Sequence, residues 1–130
     1  MIIVVGALIV QGGKFLLAER SHGELKGKWE FPGGKLEKGE TEEEALVREI
    51  EEELGVQVVI EEKIKVFTHK YSFGDIHLTL LRCNLSDDVQ HIGLRGSHEK
   101  FDWVDYNTRD INFAPLDRKI FTYLKKHYVI

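Results

Sequence analysis

The chain has 130 residues, of which 42% are hydrophobic and 31% charged, a composition that excludes a disordered chain and suits a folded globular one. The net charge is -4, from 22 acidic against 18 basic residues; this lacks the basic footprint of a nucleic-acid polymer binder and leaves a small polyanion, bridged by a metal ion to acidic side chains, as the anionic ligand to consider. The single cysteine, Cys83, rules out an intrachain disulfide and a cysteine-ligated zinc site, and it fits a reducing compartment, so a cytoplasmic location is expected.

One domain over residues 1–130 is expected at this length. Residues 2–11 are rich in β-branched side chains and are too short to span a membrane, so they read as a buried strand. Gly12-Gly13 turns the chain into a second strand at 14–19, completing a hairpin. Residues 20–28 are polar with two glycines and read as a loop. A short strand follows at 29–31 and ends at Pro32-Gly33-Gly34. Residues 42–54 carry the clearest helical pattern. Thr41 stands as N-cap with Glu44 three residues on, Gly55 stops the helix, and Leu46, Val47, Ile50 and Leu54 form an apolar stripe. Beyond Gly55 the period changes to two. Strands are predicted at 56–60, 64–73 and 76–84, with Gly74-Asp75 as the tight turn between the last two, then at 89–94 and 101–104. Residues 115–127 read as a closing helix with Leu116, Ile120, Tyr123, Leu124 and His127 on one side. This order predicts an α/β (α+β) fold, a mixed β-sheet with helices packed against it.

Residues 37–53 hold nine glutamates. A charge run is usually a solvated face, but three of these are costly where they stand. At 100° per residue, Glu49, Glu52 and Glu53 fall within an arc of about 100°. Like charges three and four residues apart repel, and the C-terminal end of a helix disfavours negative charge. A divalent cation would offset these costs, and hard carboxylate oxygens suit Mg²⁺ or Mn²⁺. The spacing Gly34-x-x-x-x-Gly39 is followed by Glu40-Thr41 rather than Lys-Ser/Thr, which excludes a P-loop; no EF-hand loop is present.

Gly34, Glu40, Arg48, Glu49, Ile50, Glu52, Glu53, Gly55 and Val56 match every defined position of the Nudix box, G-x5-E-x7-R-E-U-x-E-E-x-G-U with U apolar. With the stretch Trp29-Glu30-Phe31-Pro32-Gly33-Gly34-Lys35, the chain resembles the MutT-like branch of the Nudix hydrolases, the branch of 8-oxo-dGTP and CTP pyrophosphohydrolases. The resemblance implies an α/β/α sandwich. It also implies a metal-dependent enzyme in which Glu49, Glu52, Glu53 and the Gly33 carbonyl hold Mg²⁺ or Mn²⁺, and in which water attacks an inner phosphorus of a nucleoside triphosphate to give NMP and pyrophosphate. Glu49 or Glu52 is the expected base. Glu99, a few residues before Trp103, is a further candidate beside the reading of a plain loop glutamate. Arg48 is expected to orient carboxylates by pairing with Glu40 or Glu52; the alternative is a surface ion pair worth under about 1 kcal/mol.

For substrate binding the resemblance points to Arg20, and Lys35 beside Gly34 is a second candidate for phosphate, each equally readable as a solvated surface residue; Phe31, Phe73 and Ile76 are candidates to stack on or flank the base, although aromatics on strands are more often core. Asp117 aligns where MutT-like proteins read the base. Ionised, it would accept a hydrogen bond from an exocyclic amine such as that of cytosine; the competing reading is a residue placed for the helix dipole. Ala114-Pro115-Leu116-Asp117 resembles the CTP-directed relatives more than MutT. Nucleotide pool sanitation or pyrimidine turnover is the implied role. The alternatives are another nucleoside diphosphate-X substrate (ADP-ribose, a dinucleotide, an RNA 5′ end) and a non-catalytic nucleotide sensor. The expected partner is a small nucleotide, with no nucleic-acid polymer and no membrane, in a monomer or homodimer. His69 and His77, on neighbouring predicted strands that could bring them together across a hairpin, read as structural, and Cys83 as a buried small hydrophobe.

Overall fold

A computed structural model describes residues 1–86, 92–93 and 98–130, with the Glu99 side chain also outside the described part. The elements run β1 (Ile2–Gln11), β2 (Lys14–Arg20), β3 (Trp29–Glu30), β4 (Gly33–Lys35), α1 (Glu42–Leu54), β5 (Val58–Tyr71), β6 (Gly74–Leu85), β7 (His98–Val104) and α2 (Pro115–His127). The strand expected at 89–94 lies outside the described residues apart from Ile92 and Gly93.

β1 organises the sheet. Its first eight residues pair in parallel with β6, Ile2 against Ile76 through Ile9 against Cys83. On its other side Val5 meets Gly34 and Gly6 meets Gly33, so β1 also carries β4 antiparallel. Its last two residues turn into β2, and β2 bears β3 on one edge and β7 on the other, both antiparallel. The sheet is therefore mixed, as expected.

Alternation along β1 explains the two cores, since successive side chains of a strand point to opposite faces. Val5, Ala7 and Ile9 pack with Leu16, Leu81, Cys83 and the α1 residues Ala45, Leu46, Ile50 and Leu54. Leu8 packs with Phe15, Phe31, Leu80 and the α2 residues Leu116, Ile120, Phe121 and Leu124. A strand covered on both faces must be apolar throughout, which is why residues 2–10 form an uninterrupted hydrophobic run. The result is α1 on one face and α2 on the other.

Four expectations are corrected. The strands predicted at 56–60 and 64–73 are one strand, β5, whose pairing with β6 shifts at Ile60/Glu62 and at Lys63/Lys65; the shifts interrupt the period-two pattern without ending the strand. The hairpin turn is Ser72-Phe73, because Gly74 already pairs with Tyr71. His127 is exposed, and Phe121 takes the buried place on α2. Finally, His69 pairs with Ile76 and His77 with Thr68, so the two histidines lie one register apart and on opposite faces. Cys83 is buried, as expected.

Candidate active site

The site starts from a glycine turn. Pro32 carbonyl accepts from the Ala7 amide at 2.7 Å, and β4 then runs along β1. A Cβ on Gly33 would sit 2.0 Å from the Val5 carbonyl oxygen, and one on Gly34 would sit 2.3 Å from Cδ of Glu49. Both lie far inside van der Waals contact, so only glycine lets the backbone approach β1 and the α1 carboxylate this closely.

α1 delivers the acidic residues. Thr41 Oγ1 accepts from the Glu44 amide at 3.1 Å, and Glu44 Oε1 accepts from the Thr41 amide at 2.9 Å, the reciprocal capping box read from the sequence. Gly55 ends the helix at φ 67 in the left-handed region. With both ends fixed, Arg48, Glu49, Glu52 and Glu53 come out on the side facing β4.

Arg48 is the hub. Its Nε donates to Glu40 Oε2 at 2.6 Å and its Nη2 to Glu40 Oε1 at 2.9 Å, a two-pronged pair. Nη1 donates to Glu49 Oε1 at 3.0 Å and to Glu52 Oε2 at 3.2 Å, and Nη2 also reaches the Lys35 carbonyl at 3.0 Å. Arg48 thus joins the loop before α1, β4 and two candidate ligands. Its hydrogen bonds hold the Glu40 carboxyl below the usual range. The Glu49 carboxyl is raised, first by burial, with Arg48 opposing. The Glu49 side chain is 15% exposed and that of Glu52 58%. The sequence expected Arg48 to pair with Glu40 or Glu52; it pairs with both.

Glu53 lies deeper, hydrogen-bonded by the Gly33 backbone. Burial, then the nearby charges of Glu49 and Glu30, push its carboxyl up to about 8. Its Oε2 is buried without a hydrogen-bond partner. Beside it stands His98 of β7, whose Nε2 donates to Glu30 Oε2 at 2.8 Å. Arg20 Nη1 donates to the same carboxylate at 3.1 Å.

Next to these groups opens a cavity of about 440 Å³, within the size range of small-molecule sites. Arg20, Glu30, Gly33, Gly34 and Lys35 line one side, and Phe31, Tyr71, Phe73, Leu116 and Asp117 the other. Gly33 and Gly34 are the link, since they border the cavity and carry Glu53 and Glu49 on their other side. Tyr71 and Phe73 stack at 4.9 Å with planes 8° apart, and Phe73 is 47% exposed at the rim. The Tyr71 hydroxyl accepts from the Leu116 amide at 3.0 Å, satisfying a donor at the start of α2.

Two substrate-binding expectations change in detail. Phe31 borders the cavity but belongs to the core, stacked on Phe15 at 5.7 Å and on Phe113 at 6.5 Å. Asp117 is not at the surface. It is buried, its Oδ1 accepts from the Phe31 amide at 2.9 Å, and burial followed by the charge of Glu30 raises its carboxyl well above the ordinary range. A carboxyl of this kind, when protonated, donates through one oxygen. Arg20 lines the cavity as expected, yet its guanidinium is engaged with Glu30.

The structure therefore gathers Arg48, Glu49 and Glu52 in one hydrogen-bonded network, joins Glu53 to the Gly33 backbone, and sets Arg20, Phe31, Gly33, Lys35, Phe73 and Asp117 around the cavity. Glu99 belongs to β7, and its side chain lies outside the described residues. Sequence reasoning missed Glu30, His98 and Tyr71. A charge between the aromatics Trp29 and Phe31 on a short strand was the available signal for Glu30.

Among the described residues, no three of His, Cys, Asp and Glu converge closely enough to hold a metal ion as they stand; Arg48 Nη1 lies between Glu49 and Glu52. The donor set nevertheless suits a hard divalent cation. It consists of carboxylate oxygens, one of them buried and unpartnered, beside a glycine turn that leaves room for nothing larger than hydrogen. No helix among the described residues is long and apolar enough to cross a membrane.

Residues 2–124 match the family model described as NUDIX domain. Over 79 residues the chain is 44% identical to the CTP pyrophosphohydrolase of Escherichia coli (strain K12), covering 60% of this chain and 58% of that protein. It is 41% identical over 81 residues to the 8-oxo-dGTP diphosphatase of Proteus vulgaris, covering 60% and 69%. The solution structure of the E. coli ORF135 protein matches with a TM-score of 0.79 at 32% identity, over 96% of this chain and 91% of that one. The chain spans little more than half the length of the CTP pyrophosphohydrolase it matches.

Proposed function

The chain belongs to the NUDIX domain family, and from that premise we propose that residues 1–130 form one hydrolase domain that converts a nucleoside triphosphate to NMP and pyrophosphate. The observation that supports this reading is the pair of glycines in β4, which border the 440 Å³ cavity while Gly34 abuts the Glu49 carboxyl and the Gly33 backbone hydrogen-bonds Glu53. Members of the family generally use divalent metal ions. Here Glu49, Glu52, Glu53 and the Gly33 carbonyl would hold Mg²⁺ or Mn²⁺. Such a cation, when bound, neutralises triphosphate charge and acidifies water.

The chain's own residues account for the rest. Arg48 fixes Glu49 and Glu40 by direct hydrogen bonds and steadies Glu52. Glu49 is the better placed base of the two expected, because it is shielded from solvent where Glu52 is not; its raised affinity for protons suits the task. Water oxygen bonds to the inner phosphorus, its proton passes to Glu49, and the bridging P–O bond breaks with pyrophosphate leaving. Lys35 at the cavity wall faces the phosphates, and Phe73, stacked on Tyr71, supplies an aromatic face for the base.

Asp117 directs the choice of base. Neutral, it donates from one oxygen while its other retains a lone pair beyond the Phe31 contact. Cytosine and adenine both offer the matching pair, a ring-nitrogen acceptor beside an exocyclic amine, and of the two we take cytosine. The CTP pyrophosphohydrolase relative supports the same reading. The test is a panel of NTPs, dNTPs, 8-oxo-dGTP, 5-methyl-dCTP and ADP-ribose with Mg²⁺ and with EDTA, ranked by kcat/KM. The expected outcome is Mg²⁺-dependent release of NMP and pyrophosphate with cytosine nucleotides first. A leading 8-oxo-dGTP rate would overturn the assignment of Asp117, and an intact panel would overturn the triphosphate reading.

A further inference from the structure

We propose that His98 is a positioning residue that ties Glu30, at the cavity wall, to the Glu53 carboxylate, holding Glu30 with one ring nitrogen and setting the seat of Glu53 with the other. This rests on the reading of Glu53 as a metal ligand. The imidazole is fully buried, with 0% of the side chain exposed. A buried polar ring is costly unless its nitrogens are used. Nε2 is used, at 2.8 Å from Glu30 Oε2. Nδ1 has no hydrogen-bond partner and stands 3.6 Å from Glu53 Oε2, which is itself buried and unpartnered. Held 3.6 Å apart and both shut off from solvent, the two atoms put the ring in contact range of the carboxylate, so where the ring stands limits where Glu53 can stand.

The backbone supports this. The β2–β7 ladder shifts register between Glu19 and Arg20, and the shift sets Arg20 opposite His98. Irregularities of this kind re-aim side chains next to sites. Arg20 from β2 and His98 from β7 then reach the same Glu30 carboxylate on β3. Glu30 borders the cavity, so a nucleoside seated against Glu30 and a cation seated against Glu53 share one rigid intermediary.

The experiment uses Mn²⁺ alone as probe, measured by calorimetry on the nucleotide-free protein, beside kcat, KM and Tm for wild type, His98→Gln and His98→Leu. Glutamine reaches Glu30 with its amide but presents no ring atom to Glu53; leucine does neither. Partners of metal ligands affect metal affinity by roughly 10–100-fold. Both variants are expected to bind Mn²⁺ at least tenfold more weakly, while KM rises only in His98→Leu. Should the leucine variant fail to fold, His98→Gln decides alone. Folded His98→Gln with unchanged Mn²⁺ affinity overturns the role of His98. Wild-type protein that takes up no Mn²⁺ overturns instead the metal reading on which it rests.

Discussion

Gly33 and Gly34 are neighbours in sequence, yet their substitution by alanine should fail in different ways. A methyl group on Gly33 meets the Val5 backbone oxygen at 2.0 Å, and a paired strand cannot yield. We expect Gly33→Ala to cost more than about 3 kcal/mol, the range of severe steric substitutions, visible as loss of the folded protein in a urea titration. On Gly34 the obstacle is the mobile end of the Glu49 side chain. Gly34→Ala should lose under about 1 kcal/mol of stability, while Mn²⁺ affinity falls roughly 10–100-fold as the carboxylate is displaced. Glu52→Gln tests the chemistry more directly. Glu52 is half-exposed in an i,i+4 pair with Arg48, worth under about 1 kcal/mol. Turnover is nevertheless expected to fall a hundredfold or more, about 3 kcal/mol of barrier. Near-normal turnover in that variant would remove Glu52 from the ligand set.

Among the elements, α1 was fully legible because its signals are local. Thr41, Glu44 and Gly55 act within one turn of the helix ends, and the predicted span 42–54 is the observed one. Thr41→Ala removes the Thr41 half of the capping box and should cost about 1 kcal/mol; a chemical denaturation midpoint unchanged from wild type would contradict this. α2 was also legible in its bounds, from Pro115 at the start. Its N-terminus was not, because the groups that satisfy it come from elsewhere: the Tyr71 hydroxyl takes the Leu116 amide. β5 misled the reading for the opposite reason. Its two register shifts are relations between strands, so the period breaks in sequence while the ladder continues. The Ser72-Phe73 turn was hidden in the same way, since Gly74 and Asp75 are the better turn formers in isolation but already belong to the β6 ladder.

For the whole molecule the buried carboxyls set a pH dependence. Glu53 has its carboxyl raised to about 8 from an ordinary 4.5, and Asp117 and Glu49 are raised in the same direction. The folded chain therefore holds more protons than the unfolded chain between about pH 4.5 and 8, and stability falls as pH rises through that window. Glu40 acts oppositely. Its carboxyl is lowered, so its contribution is present above about pH 4.5 and is lost on further acidification. In EDTA the Tm should peak near about pH 5 and decline toward about pH 8, with Glu53→Gln flattening the decline. Saturating Mg²⁺ should oppose it, because a cation selects the ionised carboxylates. A level profile for the metal-free wild type would refute the burial argument.

Sequence alone determined the family, the α1 caps, the span of both helices and the residues of the box, because spacing along one helix and one turn carries them. It also offered Glu40 or Glu52 as the partner of Arg48, the second because four residues span about one helical turn. Only the tertiary structure brought Glu30, His98 and Arg20 together from three strands. Only it showed Asp117 buried against the Phe31 amide, with its carboxyl pushed well above the ordinary range by burial. Proton affinity depends on what surrounds a group, and the surroundings of Asp117 come from Phe31 and Glu30, more than eighty residues away in the chain. Burial and long-range pairing have no local signature, and those two quantities decide how this site holds its charges.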